Sequence, residues 1–172
     1  MILGASFMAA PFFNRLELKK MEECFMRKFA AFLLLLFLQQ SLFALQGKEI
    51  LGVWLTQEKT AKVEIVQENG KFEGKIIWLK EPLDENGKAK TDHNNPEEKL
   101  QSTPLIGLSL LKDFKFDSKK NLWKSGKIYD PENGKTYKCK ITMNDEGNVL
   151  NVRGFIGVSL LGRTTEWTKA ID

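Results

Sequence analysis

Histidine occurs once in the 172 residues, as His93, and cysteine twice, as Cys24 and Cys139. A single histidine leaves any Ser–His or Cys–His nucleophile with one possible base, and that base sits in a polar loop beside Asp92. A metal centre wants several His, Cys or carboxylate ligands at set spacing, and no second cluster accompanies Asp92-His93. Asp92-His93-Asn94-Asn95 therefore reads as a solvated loop or Asx turn, with Asp92 and His93 the only candidates were the chain an enzyme. No Gly-rich phosphate loop, Gly-x-Ser-x-Gly elbow or Cys-x-x-Cys occurs, and Ser109 and Ser159 lie between apolar neighbours instead of beside a base. Acid pairs such as Glu97-Glu98 and Asp145-Glu146 fall in turns, where charge faces solvent. The expectation is a protein that is not an enzyme and has no metal and no cofactor.

An excess of one charge sign is missing as well. From Leu45 onward there are 21 Lys and Arg against 19 Asp and Glu, too even for a nucleic-acid footprint. The lysines alternate with apolar residues, as on a solvated sheet face. A membrane-spanning run is lacking too. The long apolar stretch, Phe29–Leu38, has ten residues, whereas a bilayer-spanning helix needs about 20. With Arg27 and Lys28 ahead of it and Ala44 as a cleavage position, Met26–Ala44 reads as a secretory signal. Residues 1–25 then read as upstream sequence from a mis-set start, and residues 45–172 as the mature domain, periplasmic or secreted. Export removes Cys24. Cys139, on the same alternating face as Tyr137 and Ile141 and opposite Lys138 and Lys140, is expected to be a buried and inert thiol.

What remains is strand and turn. Ile50–Thr56 begins the series. Ala61, Val63 and Ile65 alternate with Lys62 and Glu64, and Asn69-Gly70 follows as a type I′ hairpin turn. Phe72, Gly74, Ile76 and Trp78 share one face of the next strand. Lys80–Pro104 is a polar interruption, long for a compact domain, with a short helix expected over Pro96–Ser102. Leu105–Lys112 with Asp113–Asp117, Leu122–Tyr129, Lys135–Met143, Val149–Ile156 and Arg163–Thr168 complete about eight strands. Asp130–Gly134 and Asn144–Gly147 serve as turns. Short sequential antiparallel strands of this kind predict an all-β, up-and-down barrel or a related sandwich.

Ile106-Gly107-Leu108-Ser109-Leu110-Leu111 and Ile156-Gly157-Val158-Ser159-Leu160-Leu161 match at five of six positions. Either two equivalent segments approach at one end of the barrel, their glycines letting the backbones close and their leucines forming an apolar rim, or both are ordinary hydrophobic strand ends. An eight-stranded barrel can be filled by side chains or hold one small ligand. The inward set of Trp54, Val63, Ile65, Ile76, Trp78, Tyr137, Cys139 and Ile141 suits either.

Gly52-Val53-Trp54, the run Tyr129-Asp130-Pro131-Glu132-Asn133-Gly134-Lys135-Thr136-Tyr137, the block Arg153–Trp167, and Asn95-Pro96 ahead of Pro104-Leu105-Ile106-Gly107 together resemble domain of unknown function 2147. That is a bacterial family of exported, lipocalin-like proteins. The resemblance spans Ile50–Trp167 and implies a calycin-type eight-stranded antiparallel barrel, with no settled activity. Gly52-x-Trp54 is similar to the lipocalin signature, which implies a Trp54 at the closed end beneath an arginine of the last strand, Arg163 or else Arg153. Two roles follow as expectations. In the first, a small hydrophobic or amphipathic ligand is bound by Trp54, Trp78, Tyr137, Ile106, Leu108, Ile156 and Val158, with Gly52, Trp54, Arg153 and Arg163 bracing the closure. In the second, a filled barrel uses an apolar rim to contact a partner or lipid surface in the envelope.

Overall fold

The computed structural model describes residues 19–30, 32 and 47–170. The chain divides into a unit Met1–Leu45, in which residues 19–30 are helical, and a unit Gln46–Asp172. Most of the signal-like segment, with the expected cleavage position after Ala44, lies outside the described residues. No described helix is long and apolar enough to cross a membrane.

The second unit is a closed barrel of eight antiparallel strands, each bonded to its sequence neighbour. The strands are β1 (Gly52–Leu55), β2 (Ala61–Glu68), β3 (Lys71–Leu79), β4 (Ser109–Asp117), β5 (Leu122–Asp130), β6 (Lys135–Met143), β7 (Val149–Phe155) and β8 (Gly162–Lys169). Turn chemistry fixes the hairpins. Asn69 (φ 50) and Gly70 (φ 75) take the left-handed pair that a type I′ turn requires. The Asn144 Oδ1 accepts the backbone N–H groups of Asn148 and Val149 at 3.0 and 2.9 Å. The expected helix over Pro96–Ser102 contracts to a single 3-10 turn, Glu98–Leu100.

Closure rests on a narrow seam. β1 and β8 pair at Trp54↔Lys169 and Leu55↔Thr168, and Ala170 N–H donates to Val53 O at 2.9 Å. Where β1 ends, the Gln57 side-chain oxygen continues the ladder by accepting Glu166 N–H at 2.9 Å.

One end of the barrel is shut by a 3-10 turn, Lys48–Ile50, carried under the strands. Trp54 is fully buried and its indole N–H donates to Ile50 O at 2.7 Å. The Trp123 N–H donates to Gly47 O at 2.9 Å. Phe116 and Phe72 pack on Trp123 with ring centroids 5.0 and 6.4 Å away. The cation over Trp54 is Lys169, 5.7 Å from the ring centroid, and not Arg163 or Arg153. The register explains the difference: Arg163 pairs with Gly154 and Arg153 with Thr164, near the far end of the β7–β8 hairpin. Arg163 instead reaches Glu58, at 3.8 Å.

Above this floor the interior is solid. Trp54, Val63, Ile65, Phe72, Ile76, Leu111, Phe114, Trp123, Cys139, Ile141, Leu150, Val152 and Trp167 form one buried cluster. The void bounded by Ile50, Ile65, Phe72, Leu111, Phe114 and Ile141 is too narrow to admit a water molecule. Trp78 is not part of it. Val63 pairs with Ile76 but Lys62 with Trp78, so Ile77 is an extra residue, and this bulge reverses the facing of the strand beyond it. Trp78 lies on the outer wall, 40% exposed, with the Lys62 ammonium 5.8 Å from its ring centroid.

Two further kinks bend the wall. Asp113 (φ 66) and Ser125 (φ 63) interrupt the regular backbone of β4 and β5 between the rungs Lys112↔Lys127 and Lys115↔Lys124. They bring the Phe114 ring over Gly126, where an added Cβ would sit 2.3 Å from the ring. Gly126→Ala should therefore lower unfolding stability by about 1–3 kcal/mol, the usual cost of overpacking, read as a drop in the urea midpoint.

Candidate functional site

The end opposite the 3-10 floor carries the β1–β2 turn, the connection 80–108, the β5–β6 turn and the β7–β8 loop. Two features there have no structural equivalent at the closed end.

The first is the connection 80–108, which is folded back and bonded. Lys80 N–H donates to Thr60 O at 2.8 Å, Lys90 N–H to Pro82 O at 2.9 Å and Leu105 N–H to Lys90 O at 3.0 Å. Isolated bridges join Leu83 to Ala89 and Thr91 to Pro104. Its anchor is Asp92, fully buried, and not the solvated loop residue expected from sequence. The carboxylate accepts the Tyr129 hydroxyl at 2.7 Å and the Asn95 side-chain amide at 2.6 Å. The Asn94 amide donates to Pro131 O and Glu132 O at 3.1 and 2.9 Å. Gly134 (φ 68) is required there, because a Cβ would fall 2.0 Å from Asn94 O.

The Asn95-Pro96 and Tyr129–Tyr137 motifs therefore meet in space, and what they build is a latch between the long connection and the β5–β6 turn. Burial, followed by the hydrogen bond and charge of Asp92, pushes the Tyr129 hydroxyl up to about 12. Such a phenol is a donor that holds its proton, not a nucleophile. His93 is exposed, its Nδ1 3.4 Å from Thr91 O. Asp92 and His93 do not converge on a common point. Among the described residues no group of three or more His, Cys, Asp and Glu side chains is placed to hold a metal ion.

The second feature is the β7–β8 loop. Arg153 lies on the outer row, opposite Thr164, and its guanidinium pins the loop backbone. It donates to Ser159 O at 2.8 Å, Leu160 O at 3.1 Å and Thr164 Oγ1 at 2.8 Å. With the carbonyls turned to the arginine, the apolar side chains project outward: Ile156 is 69% exposed, Val158 62%, Leu160 87% and Leu161 80%.

The sequence echo thus has two different fates. Leu110 and Leu111 enter β4 and are buried, whereas Leu160 and Leu161 form an exposed 3-10 turn. Gly107 (φ 94) and Gly157 (φ 71) have no neighbouring atom within 4 Å of an added Cβ, so neither supports a close backbone approach. Both segments do lie at the open end, with Ile106 exposed and Leu108 half-buried.

Of the other residues singled out from sequence, Trp54 belongs to the floor and Trp78 to the outer wall. Tyr137 is half-buried and paired with Ile128, and its hydroxyl oxygen lies 3.2 Å from the Asn133 amide. Gly52 takes φ 118 at the start of β1. Cys139 is buried as expected, and burial pushes its thiol up to about 12. Asp92, Asn94 and Tyr129 carry the latch, and only the co-occurrence of two distant motifs could have flagged them.

Two outcomes follow. Tyr129→Phe leaves a buried carboxylate oxygen short of a donor, at a cost of about 1–3 kcal/mol. Amide hydrogen exchange at Asp92, Thr103 and Leu105 should then quicken by roughly one to two orders of magnitude while the floor amides are unchanged. For Cys139, the folded state keeps a proton that the unfolded chain releases near its ordinary value of 9.0. The bound proton's contribution is whole below that pH and is lost as pH rises towards about 12. The wild type should therefore lose stability relative to Cys139→Ala across that interval in denaturant titrations.

The family model described as "Uncharacterized protein conserved in bacteria (DUF2147)" matches residues 52–169. Among solved structures the chain is similar to protein HP1028 from the human pathogen Helicobacter pylori, described as belonging to the lipocalin family. The identity is 30% over 72% of this chain and 84% of that one, with a TM-score of 0.62. No curated protein matches the chain. The eight strands of the closed barrel, the floor tryptophans Trp54 and Trp123, and the two motifs that latch the long connection all fall within the matched span, and the 3-10 turn Lys48–Ile50 lies just ahead of it. The chain belongs to the DUF2147 family of bacterial proteins and has a lipocalin-like barrel.

Proposed function

We propose that this is an exported, non-enzymatic binding module that works through its open rim, engaging a hydrophobic or amphipathic surface with the loop Ile156–Leu161. The observation that carries this reading is the projection of Ile156, Val158, Leu160 and Leu161 into solvent, 62–87% exposed, from a backbone that Arg153 holds in place. Four large apolar side chains on one short loop form a contiguous patch of the kind that marks an interaction site. The interior below supports the same view, since its tryptophans and phenylalanines leave a void too narrow for water. The lipocalin-like fold favours a second reading, a small hydrophobic or amphipathic molecule held at the mouth of the barrel beside Tyr137, Ile106 and Leu108.

Titrating neutral dodecyl-maltoside micelles into the isotopically labelled full chain tests the rim. Amide shifts should concentrate on residues 155–162 and vanish in a Leu160→Asp, Leu161→Asp variant. Shifts centred on the barrel interior would favour the small-ligand reading instead, and an absence of shifts in the loop would remove the rim from consideration.

A further inference from the structure

The outer wall beneath the rim holds an arrangement that folding alone does not favour. Lys112 pairs with Lys127, Lys127 with Lys138, and Lys138 with Phe155. These residues form one rung across β4, β5, β6 and β7, and Phe155 is where the apolar loop begins. Directly opposed side chains on one face have Cβ atoms about 4.5–5.5 Å apart, and like charges so placed repel. All three lysines are exposed, and none enters an ion pair among the described residues. Asp113, beside Lys112 in the middle of β4, is bridged to Lys71, and its carboxylate also feels the charges of Lys127 and Lys112. Two residues further along β6, Lys140 adds one half-buried lysine opposite Arg153, whose guanidinium is turned to the loop carbonyls.

We infer that the lysine rung and the apolar loop together form a docking surface for an anionic lipid bilayer. The inference rests on the rim reading above and names the rim's partner. The two halves are complementary to the two layers of such a surface. The loop supplies four side chains for the acyl boundary, and the rung supplies a row of cations at the level of the phosphates. The rung runs from Lys112, the fourth residue of β4, to Phe155, the last residue of β7, so Lys138 stands beside the strand that carries the loop, while Lys127 and Lys112 continue the row around the barrel one and two strands further on. Each lysine near an anionic leaflet is worth about fivefold in partitioning, and three on the order of a hundredfold.

Co-sedimentation of the full chain with phosphatidylcholine vesicles, with and without 30% phosphatidylglycerol (about a third anionic lipid, enough to set up a surface potential), tests the proposal. The chain should partition more strongly into the anionic vesicles. K112Q/K127Q/K138Q should remove that preference, by on the order of a hundredfold, while leaving binding to neutral micelles unchanged. High salt should do the same to the wild type, which keeps the test available should the triple variant fold poorly. Equal partitioning into both vesicles, or an anionic preference indifferent to salt and to the triple substitution, would overturn it. Binding of the wild type to an acidic polypeptide in solution, with none to anionic vesicles, would likewise overturn it, in favour of a protein partner. Failures are separable: micelle contact without anionic preference defeats the bilayer proposal alone, and anionic preference that survives L160D/L161D defeats the rim reading.

Discussion

The structure depends on the seam where β8 returns to β1. Only Trp54↔Lys169 and Leu55↔Thr168 pair across it, yet without that contact the sheet has two free edges and no interior. Trp54 makes the seam hold. Its ring is buried beneath Lys169 and its N–H is satisfied by Ile50 O, so one side chain joins the floor, the first strand and the last. A buried indole without an acceptor would be costly, and the 3-10 turn at Lys48–Ile50 supplies that acceptor while it closes the end.

Filling the interior shifts the chemistry to the periphery. Closed barrels of eight strands stand at the size where side chains alone can occupy the lumen. Here Trp54, Trp123, Trp167, Phe72 and Phe114 do so. What projects at the open end is then the part of the molecule free to interact. On one side Asp92, Tyr129, Asn94 and Gly134 lock the long connection to the β5–β6 turn. On the other, Arg153 ties the backbone of an apolar loop to the outer row of β7 and leaves its side chains exposed. The latch satisfies its own polar groups internally, whereas the loop leaves its apolar groups exposed, and the proposed role rests on that asymmetry.

The lysine rung follows from the same geometry. In sequence, Lys112, Lys127 and Lys138 are ordinary outward residues of three amphipathic strands, each spaced from its neighbours by apolar positions. Only the register sets them side by side. The β4–β5 register is the same on either side of the kinks at Asp113 and Ser125, whereas the β5–β6 register that sets Lys127 beside Lys138 shifts by one residue between Trp123 and Gly126, where Phe114 packs over Gly126. An irregularity beside a packed interior residue thus takes part in setting one pairing of the charge pattern outside.

Strand number, order and antiparallel sense were legible from the residues, because a period of two and the turn preferences of Asn69-Gly70, Asp130–Gly134 and Asn144–Gly147 are local properties. So were the burial of Cys139 and the meeting of first and last strands. The facing of Trp78, the choice of Lys169 over Arg163 above Trp54, the burial of Asp92 and the divergence of the two Ile-Gly-x-Ser-Leu-Leu segments belong to the tertiary structure. Each depends on which residue lies across from which. One inserted residue such as Ile77 reverses every side chain beyond it, and whether it is inserted is decided by packing between strands far apart in the chain.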